Sequence, residues 1–453
     1  DATVLAFTAG LAIVAGILFG LAPAWQLSRP RLNDQLSGAG ALAGGNRKRW
    51  LSDGLIVAEV ALSLLLLVAA GLFIQSFSRL RASDTGLNPD GVLTAALNLP
   101  QANYKKAPQV GQFERTLLDR LRAIPGASSV SLTSALPLEG QSNGYISLPG
   151  QTSVEQALVE WNEVTDGYFA TFHIPFLQGS GYTPADINTW SQLYTAYAAE
   201  HMDMKALNNL TLPVVVNRAM ADHFYPGKDP IGQRFRRGGD GPWLTIKGVV
   251  ANVAVNELGE APFPQAYFPM SGFDNSFFLA VRSQLPPAAV AEAMRKTVAG
   301  LDANLPLYGI RSMDQVADAS VAGQAFQQWL MTGFAALALL LAIAGIYGVM
   351  AYLVAARTRE IGVRMALGAS RRSVLALVLA RGMALAGLGA AAGLALALLL
   401  GRLIASQLYQ VRPADPLSLA VAVLVLLAAC LLACYLPARR AAAVHPATAL
   451  RSS

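Results

Sequence analysis

At 453 residues, with 54% hydrophobic side chains, 14% charged ones and a mean hydropathy of +0.41, the chain carries about half the charge of an ordinary soluble domain, which excludes a wholly water-exposed fold. Its net charge of +6 divides unevenly: residues 79–325 hold 18 Lys/Arg against 22 Asp/Glu (net −4), and the remainder holds 16 against 6 (net +10). The positive excess sits in short segments flanking apolar runs, a membrane-topology pattern, so no nucleic-acid partner is expected.

A helix needs about 20 apolar residues to cross the hydrocarbon core, where every backbone group must be satisfied within the segment. Five segments meet that length: near 3–25, within the charge-free stretch from Asp1 to Arg29; near 55–77, uncharged after Glu59; near 329–354; near 374–401; and between Asp415 and Arg439. The chain begins with Asp1, and no basic region precedes the first run. That run therefore reads as a span rather than a signal peptide, and the start as a cut through a longer polypeptide.

Arg29, Arg31, Arg47, Lys48 and Arg49 lie between the first two spans. Arg357, Arg359, Arg364, Arg371 and Arg372 lie between the third and fourth, and Arg439, Arg440 and Arg451 follow the last. Alternating spans put all three clusters on one face, which is then cytoplasmic, and put residues 79–325 outside.

The outside segment alternates strands and helices. Strands are predicted at 92–99, 129–133, 213–217, 243–250 and 277–282, with helices at 109–123, 218–224 and 288–301. This is an α+β pattern of one or two compact subdomains. Residues 186–212, rich in Tyr, Ala and Asn, interrupt it as a helical insertion or lobe.

The stretch 357–372 carries the clearest periodicity. Arg357, Glu360, Arg364 and Arg371 fall on one helical face, with Ile361, Met365 and Ala369 on another. Glu360 can pair with both Arg357 and Arg364. The result is an amphipathic helix at the cytoplasmic interface, either a connector lying on headgroups or a coupling helix for a partner. In the fourth span Gly389 and Gly393 form a small-xxx-small pair, with Gly382 one further packing position on the same span, so a neighbouring helix can approach closely. Glu59 and Arg381, near the cytoplasmic ends of their spans, are expected to snorkel or to pair with each other. Cys430 and Cys434, four apart on one face, read as packing residues. His173, His201, His223 and His445 are scattered, and no metal is assigned. The 453 residues contain no Gly-x-x-x-x-Gly-Lys-Ser/Thr loop and no clustered nucleophile and base, so the chain is expected neither to be an enzyme nor to bind a cofactor.

The run Arg359-Glu360-Ile361-Gly362, with Arg364 and Met365 inside it and Ala366-Leu367-Gly368-Ala369 closing it, resembles the signature of the FtsX-type permease domain. Residues 59–72 resemble that family's first helix. Val215-Val216-Asn217-Arg218-Ala219, Pro230-Ile231-Gly232 and Lys247-Gly248-Val249-Val250 resemble the MacB-like periplasmic core domain. The resemblance covers about residues 50–453 and implies a MacB/FtsX-type ABC transporter permease: an α-helical membrane bundle with a large α+β domain inserted between spans two and three. The implied division is a membrane helix at 1–26, a basic cytoplasmic linker at 27–52, a membrane helix at 53–78, the periplasmic domain at 79–325 and a three-helix permease domain at 326–453. The same resemblance implies that Arg357–Ala369 contact a separate ATPase, which uses the ATP. It also implies a second permease half as dimer or pseudo-dimer mate, membrane lipid, and a periplasmic or outer-membrane partner. The implied role is export of a drug, peptide or lipid-linked substrate, with activation of a periplasmic hydrolase as the alternative. Leu21-Ala22-Pro23-Ala24 echoes Tyr435-Leu436-Pro437-Ala438, which with the resemblance favours span one as the last helix of an upstream copy.

Overall fold

The computed structural model describes residues 10, 41–150, 158–198, 211–238, 242–270, 272, 274–356, 363–365, 367 and 370–442. In chain order these form α1 (Ala41–Arg81), β1 (Val92–Asn98), α2 (Ala107–Arg122), β2 (Ala127–Thr133), β3 (Ser142–Ser147), β4 (Leu158–Val164), α3 (Tyr168–Thr171) and β5 (Phe176–Gly179). There follow α4 (Pro184–Ala198), β6 (Thr211–Asn217), α5 (Arg218–Phe224), β7 (Arg234–Arg237), β8 (Trp243–Val250), β9 (Gln265–Pro269) and β10 (Ser276–Ser283). The chain ends with α6 (Pro287–Ala299), β11 (Tyr308–Ser312), α7 (Met313–Ser320), α8 (Ala322–Ala356), α9 (Arg371–Ile404) and α10 (Pro416–Ala442). Two compact units result, one of residues 1–71, 332–404 and 413–453, the other of Leu72–Met331 and Ala405–Arg412.

The first unit is built from long helices. Four stretches among the described residues are long and apolar enough to cross a membrane: Asp53–Arg81, Ala322–Ala355, Arg371–Gln407 and Pro416–Arg440. The fifth expected span, near 3–25, lies outside the described residues except for Gly10. Residues 41–52 are helical in α1, where a linker to 52 was expected. No proline interrupts residues 31–88, and once the apolar run is helical each added residue gains a backbone bond without a new nucleation cost. α10, with Pro437 inside it, continues to Ala442, three residues past the Arg439 that bounds the last expected span. The apolar positions that face no protein are many: Leu337, Leu341, Leu399 and Leu432 are all more than half exposed, as lipid-facing residues are.

The second unit holds two β modules. In the first, the strand order is β11-β1-β10-β2, every neighbour antiparallel. α2 joins β1 to β2 and α6 joins β10 to β11, a split βαβ plait. Alternation explains it: Leu93, Ala95 and Leu97 of β1 and Phe277, Leu279 and Val281 of β10 face a core shared with both helices. α2 offers Val110, Phe113, Leu117 and Leu121 to that core at helical spacing. The second module, β3 to β9, is inserted between β2 and β10. Its pairings run β4-β3-β7-β8-β6-β9 and return from β9 to β4, closing a six-stranded ring with β5 added on β8. Closure leaves the ring without free edges. Ile146, Trp161, Val214, Val216, Phe235, Ile246 and Phe268 fill it.

Arg282 of β10 is buried yet satisfied by backbone alone. Its guanidinium donates to the carbonyls of Thr171 (2.7 Å), Asp90 (2.5 Å) and Asn88 (2.6 Å), fastening α3 and the turn before β1 to the plait. Asn217 links β6 to β9: its Oδ1 accepts from Met220 N and Gln265 N, which caps α5, and its Nδ2 donates to Phe263 O.

Candidate functional site

Within the helical unit, three glycines of α9 set how closely its neighbours approach. A Cβ on Gly393 would lie 2.6 Å from Ala61 O, and one on Gly389 2.7 Å from Val60 Cβ and 2.9 Å from Val57 O. Both positions therefore seat α1 with backbone nearly in contact. Gly382 faces α10 instead: its Cβ would meet Cys434 Sγ at 2.4 Å. Cys430 and Cys434 are buried free thiols among these helices.

The charged pairing differs from the sequence reading. Arg381 donates to Asp53 Oδ2 at 3.0 Å, binding α9 to α1 where the membrane-length stretch Asp53–Arg81 begins, rather than pairing with Glu59. Glu59 lies one and a half turns further along and packs on α8, its Oε2 occupying the space a Cβ at Gly345 would need. Asp53 stands at the edge of the membrane-length stretch Asp53–Arg81, so this pair stays nearer water than a pair at Glu59, deeper in the same stretch. Ser63 Oγ donates to Ala338 O at 2.8 Å, a polar tie between α1 and α8.

Within the second unit the ends of α1 and α8 meet the loop 253–260 and the segment 405–410. Gly259, at φ +79°, lets this loop pass between Leu80 and Tyr409: a Cβ there would lie 2.5 Å from both side chains. Gln324 of α8 donates to Glu257 at 2.9 Å, Tyr409 N donates to Ser76 Oγ at 2.8 Å, and Arg79 donates to Gln410 O. The Arg81–Asp318 pair beside them is exposed at both ends and adds little stability. Gly259→Val introduces a β-branched side chain at a left-handed φ against two packed neighbours. A loss of about 1–3 kcal/mol is expected. Thermal unfolding followed by tryptophan fluorescence checks it, with Gly227→Val, also at positive φ but in open space, as the control for strain alone.

Comparison with known families gives two matches. The family model for the MacB-like periplasmic core domain matches residues 54–297, over half of the chain, and that for the FtsX-like permease C-terminal matches residues 332–446. The chain belongs to the MacB/FtsX family of ABC transporter permeases. As a MacB/FtsX permease it is a membrane protein with a periplasmic domain. The ABC transporter permease YvrN of Bacillus subtilis (strain 168) is 24% identical over 309 residues, 65% of this chain and 67% of its own. The macrolide export ATP-binding/permease protein MacB of Azoarcus sp. (strain BH72) is 29% identical over 52% of this chain and 37% of its own. The pyoverdine export ATP-binding/permease protein PvdT of Pseudomonas fluorescens (strain Pf0-1) is 40% identical over 27% of this chain and 19% of its own. The permease thus matches well under half the length of these last two relatives.

In this MacB/FtsX permease, Arg357, Arg359, Glu360, Ile361, Gly362, Ala366, Gly368 and Ala369 lie outside the described residues. Arg364 and Met365 belong to the short helical stretch 363–365, and Leu367 N donates to Val363 O at 3.0 Å. Met365 packs with Val354 on the buried Val374, so the described part of the connector touches the ends of both α8 and α9. Leu367 is 83% exposed, an apolar side chain presented to solvent or a partner. Among the described residues of 357–372, Leu367 is in a turn and Ser370 is outside a helix: Ser370 Oγ accepts from Ser373 N at 3.2 Å, and α9 begins at Arg371. A serine in that position competes for the backbone and starts a new helix, which periodicity of the charged residues conceals. Among the described residues no group of three or more His, Cys, Asp and Glu could hold a metal.

The sequence reading passed over a buried acidic group in the periplasmic domain. Glu114 of α2 is 5% exposed, with Oε1 lacking any hydrogen-bond partner. Burial, and then the charge of Glu163, pushes its pKa up to about 8. Burial followed by the charge of Asp274 takes Glu163 to about 8 as well, with Arg237 opposing. Glu114 shares the buried face of α2 with Val110, Phe113, Leu117, Leu118 and Leu121, so its helical spacing was the signal that could have found it.

Proposed function

We propose that this permease couples ATP hydrolysis by a separate ATPase to motion of its periplasmic domain, and that this motion exports a substrate from the periplasmic side. The observation that supports the reading best is the continuity of α1 and α8. Each is one unbroken helix that contains a membrane-length apolar stretch and ends in the joint formed by Gly259, Leu80, Tyr409 and Gln324. A tilt applied to either helix inside the bilayer would therefore act directly on the loop 253–260. The handle for that tilt is Arg357–Ala369, placed between α8 and α9 on the basic, cytoplasmic face. Arg-rich helical segments with an exposed apolar residue such as Leu367 suit docking in a groove of a partner protein. The working division is 53–78 and 326–453 as the membrane permease, with 79–325 as the periplasmic domain; a second permease half would complete the bundle. MacB and PvdT are named as ATP-binding/permease proteins, and the 453 residues here correspond to a permease part, to which the proposed ATPase would supply the ATP-binding part.

Glu360→Arg tests the handle. It replaces the one acid among Arg357, Arg359 and Arg364 with a fourth base, and is expected to weaken ATPase association at least tenfold while leaving membrane insertion unchanged. Co-purification with the ATPase and stimulated ATP hydrolysis in proteoliposomes provide the measurement. Normal association and coupling in this variant remove the handle from the mechanism. Substrate-dependent stimulation of hydrolysis in the wild type supports export. Pull-down of a periplasmic hydrolase without such stimulation would favour a regulatory scaffold.

A further inference from the structure

The joint in the second unit encloses a cleft of about 450 Å³ that the mechanical role does not require. This is within the roughly 300–1,000 Å³ typical of sites for drug-sized ligands. One wall is apolar and partly aromatic: Phe73, Phe77 and Leu80 from the last turns of α1, with Leu258 and Tyr409 beside them. The rest of the lining includes polar and anionic groups. Glu257 and Glu260 come from the loop, and Gln324 and Gln327 from the first turns of α8.

Charge decides what such a cleft can hold. No Lys or Arg lines it. The two nearest cations in sequence are engaged elsewhere, Arg79 with the carbonyl of Gln410 and Arg81 with Asp318. Glu257 accepts one hydrogen bond from Gln324, and Glu260 one from Asn256, both neutral amides. Each carboxylate keeps free acceptor positions. An anion entering this space would meet two like charges, and a wholly apolar molecule would strip water from them without compensation. A molecule with an apolar body and a cationic end satisfies both parts of the lining. Its body would lie on Phe73, Phe77 and Leu80, and its charge would reach Glu257 and Glu260, with the Tyr409 ring as a further cation-binding face.

We infer that this cleft is a binding site for amphiphilic organic cations. The residues that form its apolar wall belong to the end of the apolar helix Asp53–Arg81. A molecule that concentrates at a membrane surface, as cationic amphiphiles do, therefore meets the cleft where that apolar segment ends. Because its walls are the moving parts of the proposed lever, occupancy would be sensed by α1 and α8. This extends the export reading by naming the substrate class, but binding itself needs no ATPase.

The test uses the full chain in lipid nanodiscs, titrated with rhodamine 6G, a cationic amphiphile, and followed by fluorescence polarisation against empty nanodiscs. Carboxyfluorescein, an anion on a similar tricyclic skeleton, is the paired probe. Saturable binding of rhodamine 6G is expected, with carboxyfluorescein at the empty-nanodisc level. The double substitution Glu257→Gln and Glu260→Gln should weaken rhodamine 6G at least tenfold. Gln327→Trp, a bulky change on an exposed helical position, should fill the cleft and give a comparable loss without relying on charge. Binding no stronger than to empty nanodiscs, equal binding of the two probes, or unchanged affinity in both variants overturns the assignment. Failure of Glu360→Arg to disturb coupling would sink the lever while leaving these binding results intact, so the two ideas fail separately.

Discussion

Gly393→Leu is expected to dissociate α1 from α9 and to unfold the helical unit at a distinctly lower denaturant concentration than the wild type. A Cβ at this position would sit 2.6 Å from Ala61 O and 3.0 Å from Leu64 Cβ, so the obstruction is largely backbone, which no rotamer change relieves. Overpacking in a well-packed interface costs about 1–3 kcal/mol, and a whole isobutyl group against a carbonyl belongs at the top of that range or beyond it. In a membrane the loss is not offset by hydrophobic gain, since leucine is equally comfortable in lipid and close helix approach rests on dispersion and small residues. Gly387→Leu is the control. It lies in the same helix, six residues earlier, with nothing within 4 Å of its Cβ, and should leave stability nearly unchanged. The measurement is the midpoint of an SDS titration of the purified chain, read by near-ultraviolet circular dichroism. Equal midpoints for the two variants would show that α1 and α9 do not pack through Gly393. Gly393→Ala, with one methyl, should fall between them.

Much of the architecture was open to sequence reasoning, for identifiable reasons. Long uncharged runs bounded by Arg and Asp admit few alternatives, because the bilayer leaves an unpaired backbone group no partner. β1, β2, β6, β8 and β10 were readable since their Val, Leu and Phe residues alternate or cluster between Gly and Pro turns. The strands β3, β4, β5, β7, β9 and β11 were not. β7 is Arg-Phe-Arg-Arg, with a single buried Phe235, and β5 is exposed at every position. β4 carries Glu160, Asn162 and Glu163 among its apolar residues because tertiary contacts satisfy or tolerate them: Asn162 bonds Thr133 and Ala135 across the module. Local pattern cannot anticipate partners 27 or 29 residues away.

The functional positions divide in the same way. Gly389 and Gly393 announce themselves by spacing, and the structure adds which helix each one meets. The Arg381–Asp53 pair was not foreseen, snorkelling or pairing of Arg381 with Glu59 being the expectation, because sequence gives depth along a helix but not rotation about it. Gly259 carried no signal at all. Its importance comes from a left-handed φ and from Leu80 and Tyr409, which are far from it in the chain. The loop joint and the cleft within it therefore belong to what only three dimensions disclose.

The periplasmic domain is expected to lose stability as pH rises from about 5 to about 8, against the usual behaviour of carboxylates held in ion pairs. Glu114 has an ordinary pKa of 4.5 and is raised to about 8 in the fold, by burial first and by Glu163 second. Between these values the folded state holds a proton that the unfolded chain has released. The unfolded state therefore binds fewer protons, and the free energy of unfolding falls with pH. Below pH 4.5 the effect is absent, and above 8 it is complete. Each such group contributes a slope of about 1.4 kcal/mol per pH unit inside the window. Glu163, raised by burial and then by Asp274 despite Arg237, adds to the same slope, while Arg115 opposes it at Glu114. Glu114→Gln preserves the side-chain shape and keeps an acceptor for the Gly272 N–H that now reaches the carboxylate. It has no proton to lose, so its unfolding temperature should vary less with pH. At pH 8 it should exceed the wild type, with little difference at pH 5. Thermal unfolding of the full chain, followed by tryptophan fluorescence at half-unit intervals from pH 5 to 8.5, supplies the comparison. Parallel curves for wild type and variant would mean that Glu114 is ionised in the folded domain, and that the loop holding Gly272 and Asp274 opens enough to let water reach it.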